Sequence, residues 1–378
     1  MLQRVRIQNF RSLKDVTLDL QKVNLFIGPN NSGKSNFLKG LEKYSILLNS
    51  PHDAGLVLKI EDYYSKSPID EIIFNISLVA PNQFDRNNIL SFKYSGNGSI
   101  LSKWLFSIDD NYDDFLDDQL DKMKRNDIVM EEGYIYYKNI IDNLTIYRPD
   151  PNSFQKPFPI LPNQLLINYN VSNLVAFFDA LRDEYPDNFK AIERDLQKCI
   201  PEFSGLRFEN VEVSKNEDLF KIYGDKTFKR IGLYDTVKKV TFWADEVSEG
   251  VLYFLALLCI VHQPNPPKLL LLEEPEKGIH PRRIHEVMKF IFQLAEDKDI
   301  QVIMTSHNEH VLQEFRLNPE AVFIFDKDEE GATFVKNLQK GVIEPDTQKA
   351  IEFGVEPIDY LDNMGESWFM GLMGGVPA

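Results

Sequence analysis

The start of the chain alternates apolar and polar residues in the way that short β-strands do. Residues 4–10 and 16–20 place apolar side chains at every second position, and the continuous apolar stretch 23–27 predicts a third, fully buried strand. After the letters GPNNSGKS, apolar residues recur at helical spacing: Phe37, Leu38, Leu41 and Tyr44. This part of the chain therefore predicts the order strand, glycine-rich loop, helix.

The same two periodicities continue along the chain. The apolar residues of 174–196 lie at helical spacing, and Pro186 is expected to divide this stretch into two helices. We also expect a helix after Gly250 and another over 281–294. Apolar alternation or continuous apolar runs predict further strands: 71–78, 89–94, 206–213, 219–223, 269–272, 300–305 and 321–325. Strands that alternate with helices favour a largely parallel sheet covered by helices.

The glycine-rich loop is the strongest chemical feature of the sequence. Gly28–Ser35 fits G-x-x-x-x-G-K-[ST] in full, between a predicted strand and a predicted helix. Such a loop turns its backbone N–H groups toward phosphate oxygens, and the helix N-terminus adds partial positive charge. We expect Lys34 to reach the β and γ phosphates of a nucleotide and Ser35 to ligate magnesium. The other predicted nucleotide contacts are neighbours in the chain: Asn30, Asn31, Ser32, Gly33 and Asn36.

Two adjacent carboxylates, Glu273 and Glu274, follow the apolar strand 269–272. Ligands of α/β proteins bind at the carboxyl ends of the strands, and neighbouring side chains of a strand point to opposite faces. We therefore assign Glu273 to magnesium and Glu274 to the general base that activates water. Glu273 is longer by one methylene than the aspartate that most P-loop proteins have, so it can act through a water. The alternative is a charged strand end that faces solvent.

Two further positions are candidates for contacts to the terminal phosphate. His307 follows the predicted strand 300–305, where an imidazole can hydrogen-bond the γ phosphate and the attacking water. Ser248 and Gly250 precede a strongly apolar helix, whose first backbone N–H groups form a second anion site. The simpler alternative for Ser248 is a helix N-cap. A single chain has no obvious way to close this loop over its own phosphate loop, whereas a second copy does.

Composition limits the other functions. The 378 residues are 43% hydrophobic and 26% charged, which is typical of a globular protein. The net charge of −16 argues against a surface that attracts nucleic acid or anionic membranes as a whole. The start of the chain has no apolar leader block, no stretch reaches membrane-spanning length, and the two cysteines make no disulfide framework. We therefore expect a cytoplasmic protein. The aspartate-rich stretch 109–121 is interpreted as a solvated helix face.

The motifs together resemble the ABC-type ATPase heads of the SMC, RecF and OLD-like families, and most closely the stand-alone AAA-family ATPases of the OLD group. The resembling stretches cover about half of the chain: RVRIQNFRSLKDVTL, GPNNSGKSNFL, VSEGVLYFLAL, LLLLEEPEKGIHP and VIMTSHNEHVL. The segment GESWFMGLMGGVP is also similar to tails in that group. The resemblance implies an α/β fold: a P-loop NTPase of the ABC-ATPase head type, with a mixed or parallel central sheet flanked by helices and an inserted helical subdomain.

The resemblance also implies a division of the chain. Residues 1–95 and 236–335 are expected to form the two lobes of the head. Residues 96–235 are expected to form an inserted subdomain that varies among relatives and is mostly helical with some strands. Residues 336–378 are then a C-terminal extension.

Roles for single residues come from the same resemblance. Ser248 and Gly250 stand for the signature loop that contacts the ATP bound to a partner subunit, and Arg11 stands where relatives contact the nucleotide. The glutamine loop of such heads is not identifiable, since Gln83 and Gln164 are both candidates. The ligands implied are ATP and Mg2+. The assembly implied is a homodimer, or a higher even-numbered oligomer, in which two heads enclose two ATP molecules and loosen on hydrolysis.

These features favour an ATP-hydrolysing dimeric switch that controls a protein effector, such as a nuclease or a toxin, in anti-phage defence. Many relatives of the resembling group lie in phage-defence loci. One alternative is an ATPase of the DNA-repair or chromosome type that acts on DNA, although the net charge and the lack of a coiled-coil pattern weigh against it. A scaffold that binds ATP with little turnover is the other. A transporter's motor subunit needs a clear glutamine loop, which the sequence does not show, and no membrane partner is expected.

Overall fold

The computed structural model describes residues 1–49, 57–66, 71–78, 87–94, 100–107, 139–142, 144–153, 155–161, 164–212, 218–277 and 279–375, with only the backbone described for Leu78, 87–94, 100–107 and Leu219. The aspartate-rich stretch 109–121 and Gln83 lie outside these residues. In the described part of the chain, no helix has the length and apolar character needed to cross a membrane.

Strands and helices alternate along much of the described chain. The strands are β1 (Leu2–Phe10), β2 (Leu13–Asp19), β3 (Val23–Ile27), β4 (Ile72–Leu78), β5 (Asn87–Tyr94), β6 (Ile100–Ser107), β7 (Ile146–Tyr147), β8 (Phe158–Pro159), β9 (Phe203–Val211), β10 (Phe228–Asp235), β11 (Val240–Trp243), β12 (Leu269–Glu273), β13 (Gln301–Ser306), β14 (Val322–Lys327) and β15 (Thr333–Asn337). The α-helices are α1 (Lys34–Asn49), α2 (Leu174–Glu184), α3 (Pro186–Cys199), α4 (Asp218–Tyr223), α5 (Glu249–Val261), α6 (Pro281–Asp297), α7 (Glu309–Gln313), α8 (Glu344–Phe353) and α9 (Met364–Phe369).

The chain divides into two compact units. The first contains Met1–Ile146, Lys268–Glu273 and Asp299–Ala378, and the second contains Tyr147–Pro267 and Glu274–Lys298. The first unit has an antiparallel sheet in the order β2-β1-β4-β5-β6. Five strands of its other sheet follow the order β15-β14-β3-β13-β12, in which β14, β3, β13 and β12 are parallel and β15 is antiparallel to β14.

The core of the first unit lies between these sheets and α1. In β1, Val5 and Ile7 are fully buried while Arg6 between them is partly exposed, as the alternating pattern predicts. Phe26 of β3 packs against Phe37 of α1 in an edge-to-face pair whose ring centroids are 5.4 Å apart. Gly40 lets α1 approach β1, because a Cβ atom there would lie 2.8 Å from Cδ1 of Ile7.

The second unit combines helices with a small antiparallel sheet, in which β10 pairs with β8, β9 and β11. Helix α2 ends before Pro186, and Pro186 is the first residue of α3, so the predicted break of one long helix into two is confirmed. The strand predicted over 219–223 is wrong, because these residues belong to α4. Lys221 donates to Asp218 one helical turn earlier, at 3.1 Å, and Ile222 is exposed, so this short apolar stretch is not a buried strand.

A charged network joins three helices of this unit: Asp195 lies in α3, His262 follows α5 and Lys298 follows α6. The Asp195 carboxylate of α3 accepts hydrogen bonds from Lys198 and Lys298, each at 3.0 Å, and contacts Nε2 of His262 at 2.9 Å. These hydrogen bonds outweigh the effect of burial and hold the pKa of Asp195 well below its usual range. Burial and the charge of Lys298 lower the pKa of His262.

The predicted fold class is confirmed, since a mixed, mainly parallel sheet flanked by helices carries the glycine-rich loop. The predicted boundaries of lobes, insertion and extension stay predictions.

Candidate functional site

Three neighbouring parallel strands of the first unit end at the same edge of the sheet. β3 runs into the glycine-rich loop, β13 runs into His307, and β12 ends at Glu273. The register pairs Ser306 with Ile27 and Thr305 with Glu273, so these strand ends are level. The carboxyl edge of a parallel sheet is the usual ligand-binding edge of α/β folds. This convergence creates the candidate site.

The loop after β3 has a conformation that requires its glycines. Gly28 has φ +147° and Gly33 has φ +109°, both in the region that favours glycine. A Cβ on Gly28 would lie 2.1 Å from the carbonyl oxygen of Phe325, and one on Gly33 would lie 2.1 Å from Oγ1 of Thr333. Both glycines are therefore fixed by their contacts with the neighbouring strands as well as by their own backbone.

Lys34 begins α1 and is 4% exposed. Its ammonium donates to the carbonyl oxygens of Gly28 at 2.8 Å and Pro29 at 2.9 Å, and it lies 3.4 Å from Oγ of Ser32. These contacts keep the cation inside the loop, in the position from which a lysine of this motif reaches phosphate oxygens. The loop residues Asn30 and Asn31 are exposed at the surface, and Asn36 donates from the first turn of α1 to Oγ of Ser12 at 2.9 Å.

Ser35 and Glu273 meet although 238 positions separate them in the sequence. Oγ of Ser35 donates to Oε1 of Glu273 at 2.5 Å. A hydroxyl and a carboxylate are the hard oxygen donors that Mg2+ takes, and this ion commonly keeps few protein ligands and completes its shell with phosphate and water oxygens. The pair therefore fits the predicted magnesium site. In the described residues no cluster of three or more His, Cys, Asp or Glu side chains could hold a metal ion without such help.

The other catalytic candidates are placed as follows. His307 comes directly after β13, is half-buried, and stands on the same sheet edge as Glu273. Asn308 then caps α7 by accepting from the backbone N–H of His310 at 2.8 Å. Glu274 begins the second segment of the second unit, Glu274–Lys298, and has φ +49°, a left-handed conformation that is uncommon outside glycine and is concentrated at functional sites. Their catalytic roles stay predictions.

Thr333, the first residue of β15, is a residue of the candidate site that the sequence did not predict. Its buried hydroxyl donates to the carbonyl oxygen of Ser32 at 2.9 Å and lies 2.7 Å from Oγ of Ser12, which in turn accepts from Asn36. Thr333 thus links the glycine-rich loop, the β1–β2 turn and α1. No motif or local spacing marks this residue, and only the close approach of Gly33 shows its importance.

Arg11 lies beside the loop in the β1–β2 turn. It has φ +53°, and its guanidinium forms a salt bridge with the buried carboxylate of Asp62 at 2.7 Å. The backbone N–H of Arg11 also donates to the Asp62 carbonyl oxygen at 2.8 Å. Arg11 borders a pocket of about 610 Å3, which is also lined by Asn31, Asn36, Tyr63, Tyr64 and Lys327. The predicted nucleotide contact of Arg11 is compatible with this placement and stays a prediction.

Ser248 and Gly250 belong to the second unit. Ser248 precedes α5 as its N-cap residue, is exposed, and makes no capping hydrogen bond with its side chain. A Cβ on Gly250 would lie 3.5 Å from Cδ of Arg283, an ordinary contact, so the chain's own packing does not demand glycine there. Gln164 accepts from Asn173 at 2.9 Å within the same unit, which gives it a structural contact.

Comparison with solved structures finds the same fold in SMC head domains. The SMC head domain from Thermotoga maritima is 10% identical, with a TM-score of 0.52 over 89% of this chain and 98% of that chain. The Smc head domain with an extended coiled coil bound to the C-terminal domain of ScpA, derived from Pyrococcus furiosus, is 12% identical, with a TM-score of 0.52 over 93% of this chain and 98% of that chain. These likenesses establish the fold. A search of curated proteins found no match.

A family model described as "AAA domain, putative AbiEii toxin, Type IV TA system" matches residues 23–313, which is well over half of the chain. The matched region includes the glycine-rich loop, the strand end at Glu273 and His307. The resemblance to AAA-family proteins with SMC-like heads is thereby confirmed. The chain belongs to this AAA-domain family and has the α/β fold of SMC head domains.

Proposed function

We propose that the chain binds ATP with Mg2+ at residues 28–35 and hydrolyses it to ADP and phosphate. The contact between Ser35 and Glu273 carries this proposal, because it brings a hydroxyl and a carboxylate together at the mouth of a complete phosphate loop. Family membership supports nucleotide binding in general terms. Hydrolysis is inferred from the additional strand-end groups.

The residues divide the work as follows. Lys34 and the loop N–H groups hold the phosphate oxygens and offset the negative charge that spreads over them during phosphoryl transfer. Ser35 and Glu273 would hold Mg2+, which would supply positive charge beside the phosphates. Glu274 accepts a proton from the attacking water, and His307 orients that water and the terminal phosphate. Each role uses a side chain at the carboxyl edge of the sheet or directly after it.

We also propose that two copies of the chain enclose two ATP molecules, with Ser248 and Gly250 of one copy contacting the γ phosphate held by the other. Two observations in the second unit support this. The hydroxyl of Ser248 makes no capping bond with its own helix, and Gly250 lacks a side chain although its own chain leaves room for one. Ser248 is also exposed, so the start of α5 is available to an external anion at this residue, two residues before the buried Gly250.

The ATP-driven association is proposed to control a protein effector in the cytoplasm, such as a nuclease or a toxin, in anti-phage defence. The description of the matching family names a toxin and a type IV TA system, which supports a function linked to a toxin.

Steady-state ATPase measurements on wild-type protein and Glu274→Gln test the chemistry. The substitution keeps the size of the side chain and removes the base, so turnover is expected to fall by about 100-fold or more while MgATP still binds. Glu296→Gln makes the same chemical change at an exposed position of α6 and is expected to leave turnover unchanged. Full turnover in Glu274→Gln would refute the assignment of the base.

Mass measurements in solution test the assembly. With MgATP, Glu274→Gln is expected to double its mass, because the nucleotide that bridges the copies is not consumed. Adding Ser248→Arg should abolish that doubling, whereas Thr227→Arg, at another exposed position of the second unit, should preserve it. A mass that is independent of ATP, or a Ser248→Arg variant that still doubles, would contradict the proposed dimer.

A further inference from the structure

The segment 364–375, which we call the returning segment, connects two parts of the candidate site. Its helix α9 packs on α7, the helix that starts two residues after His307. The backbone N–H of Met364 donates to Oε1 of Gln313 at 2.9 Å. A Cβ on Gly365 would lie 3.0 Å from Cβ of Glu309, so the two helices are in close contact. One end of the returning segment is therefore fixed on the element that follows His307.

The other end reaches the phosphate loop. The backbone N–H of Gly375 donates to Oδ2 of Asp326 at 3.2 Å. A Cβ on Gly375 would lie 2.5 Å from Cγ2 of Ile324 and 3.6 Å from Cα of Gly28, the first residue of the loop. Gly28 itself abuts the carbonyl oxygen of Phe325. Gly28 and Gly375 thus both pack on β14, where the carbonyl oxygen of Phe325 excludes a side chain at Gly28 and the side chain of Ile324 excludes one at Gly375.

The returning segment is packed into the first unit through its apolar residues. Met364 is fully buried, Met373 is 2% exposed, and Trp368 is 8% exposed. Gly374 differs from its neighbour, because it has a similar left-handed backbone with φ +81° and nothing within 4 Å of an added Cβ. The close fit therefore belongs to Gly375, which has φ +68°. Substitutions at the two adjacent glycines therefore distinguish the effect of backbone strain, which both share, from the effect of a close contact, which only Gly375 has.

We infer that the returning segment is a brace that positions the phosphate loop relative to the His307 strand end, with Gly375 as its positioning residue at Gly28. The inference rests on the proposed nucleotide site. A brace that holds the loop in its phosphate-binding conformation must itself be held more firmly when phosphate is bound, because coupling between two sites is reciprocal. The function of the 364–375 segment is thus to tie two catalytic strand ends, β3 and β13, to one another from outside the sheet.

The first test compares Gly375→Ala with Gly374→Ala by calorimetric titration with MgATP. Both substitutions place a β-carbon on a left-handed backbone, but only Gly375→Ala brings it against Ile324 of β14, at 2.5 Å from Cγ2, while it meets Cα of Gly28 at an ordinary contact distance of 3.6 Å. The dissociation constant for MgATP is expected to rise by about 10-fold or more in Gly375→Ala, because the phosphate loop is displaced, and by less than about 2-fold in Gly374→Ala. Equal constants in the two variants, with wild-type binding intact, would overturn the brace.

The second test needs no substitution at Gly375 and remains decisive if that variant fails to fold. Hydrogen exchange of wild-type protein is measured with and without MgATP. Amides of residues 364–375 are expected to exchange more slowly with MgATP, while those of α8, which packs on Gln339–Ile343, keep their rate. Unchanged exchange over 364–375 in protein that binds MgATP would overturn the inference. Failure of wild-type protein to bind MgATP would instead refute the proposed function.

Discussion

Thr333→Val gives a direct test of how the phosphate loop is held in place. Valine has nearly the shape of threonine, but its methyl group cannot donate to the carbonyl oxygen of Ser32 or pair with the hydroxyl of Ser12. In the structure these contacts are 2.9 and 2.7 Å long, and Ser32 and Thr333 are 2% and 3% exposed. Water therefore has little access to replace the lost donor.

The magnitude follows from the burial. Removing the donor to a buried carbonyl costs about 1–3 kcal/mol, and we expect the free energy of unfolding to fall by that amount. The Ser32 carbonyl belongs to the loop, so part of the loss falls on the conformation that binds phosphate. Each ~1.4 kcal/mol is a factor of ten in an equilibrium constant. We therefore expect the dissociation constant for MgATP to rise by about 10-fold.

Calorimetric titration with MgATP and urea unfolding measure the two effects. Thr333→Ser keeps the hydroxyl and should keep the affinity, while Thr236→Val removes an exposed hydroxyl in the second unit and should change neither quantity. Nucleotide affinity in Thr333→Val equal to that of wild type would show that this hydrogen bond does not shape the loop, and the reasoning would fail.

Three other predictions concern parts of the chain outside the loop. Because burial lowers the pKa of His262, its neutral form is favoured in the folded state. Its contribution to stability is therefore complete above the unfolded pKa of about 6.5 and is lost as the pH falls through the lower folded pKa. The melting temperature should fall less between pH 7.5 and pH 5 for His262→Asn than for wild type or for the exposed control His310→Asn. Burial raises the pKa of the half-buried Cys199 to about 11 and that of the fully buried Cys259 well above its usual value. Mass spectrometry should therefore find both thiols unmodified by iodoacetamide at pH 7.5 in folded protein and modified in urea, and rapid labelling of the folded protein would contradict the raised pKa values. Asp62→Ala leaves Arg11 without its buried partner and should lower the free energy of unfolding by about 1–3 kcal/mol in a urea titration, and an unchanged midpoint would show that the salt bridge is dispensable.

Local pattern was sufficient for the elements that surround the loop. The strand, glycine loop and helix over residues 23–49 follow from apolar periodicity and one motif, because each depends on neighbours in the chain. The break at Pro186 was also predictable, since proline removes a backbone donor. The error over 219–223 has the opposite cause. A short apolar stretch fits either a strand or one helical turn, and local hydrogen bonds decided for the helix.

The candidate site shows the same limit at longer range. Placing Glu273 at a strand end was enough to predict that it lies near the phosphate loop, because parallel strands align their carboxyl ends. Thr333 and Gly375 could not be found in this way. They reach the loop from β15 and from the returning segment, and their importance depends on tertiary contacts of less than 4 Å that no sequence periodicity encodes.

Calorimetric titration of MgATP into wild-type protein and Lys34→Ala tests the central claim most directly. Lys34 supplies a buried, charged donor, and hydrogen bonds to charged groups contribute about 1.5–3 kcal/mol, so its loss should weaken binding by about 10- to 100-fold. Lys39→Ala, which removes a lysine from the same helix outside the loop, should bind as wild type does. The account predicts one MgATP per wild-type chain and this loss in Lys34→Ala alone. No binding by wild-type protein, or equal binding by Lys34→Ala, would contradict it.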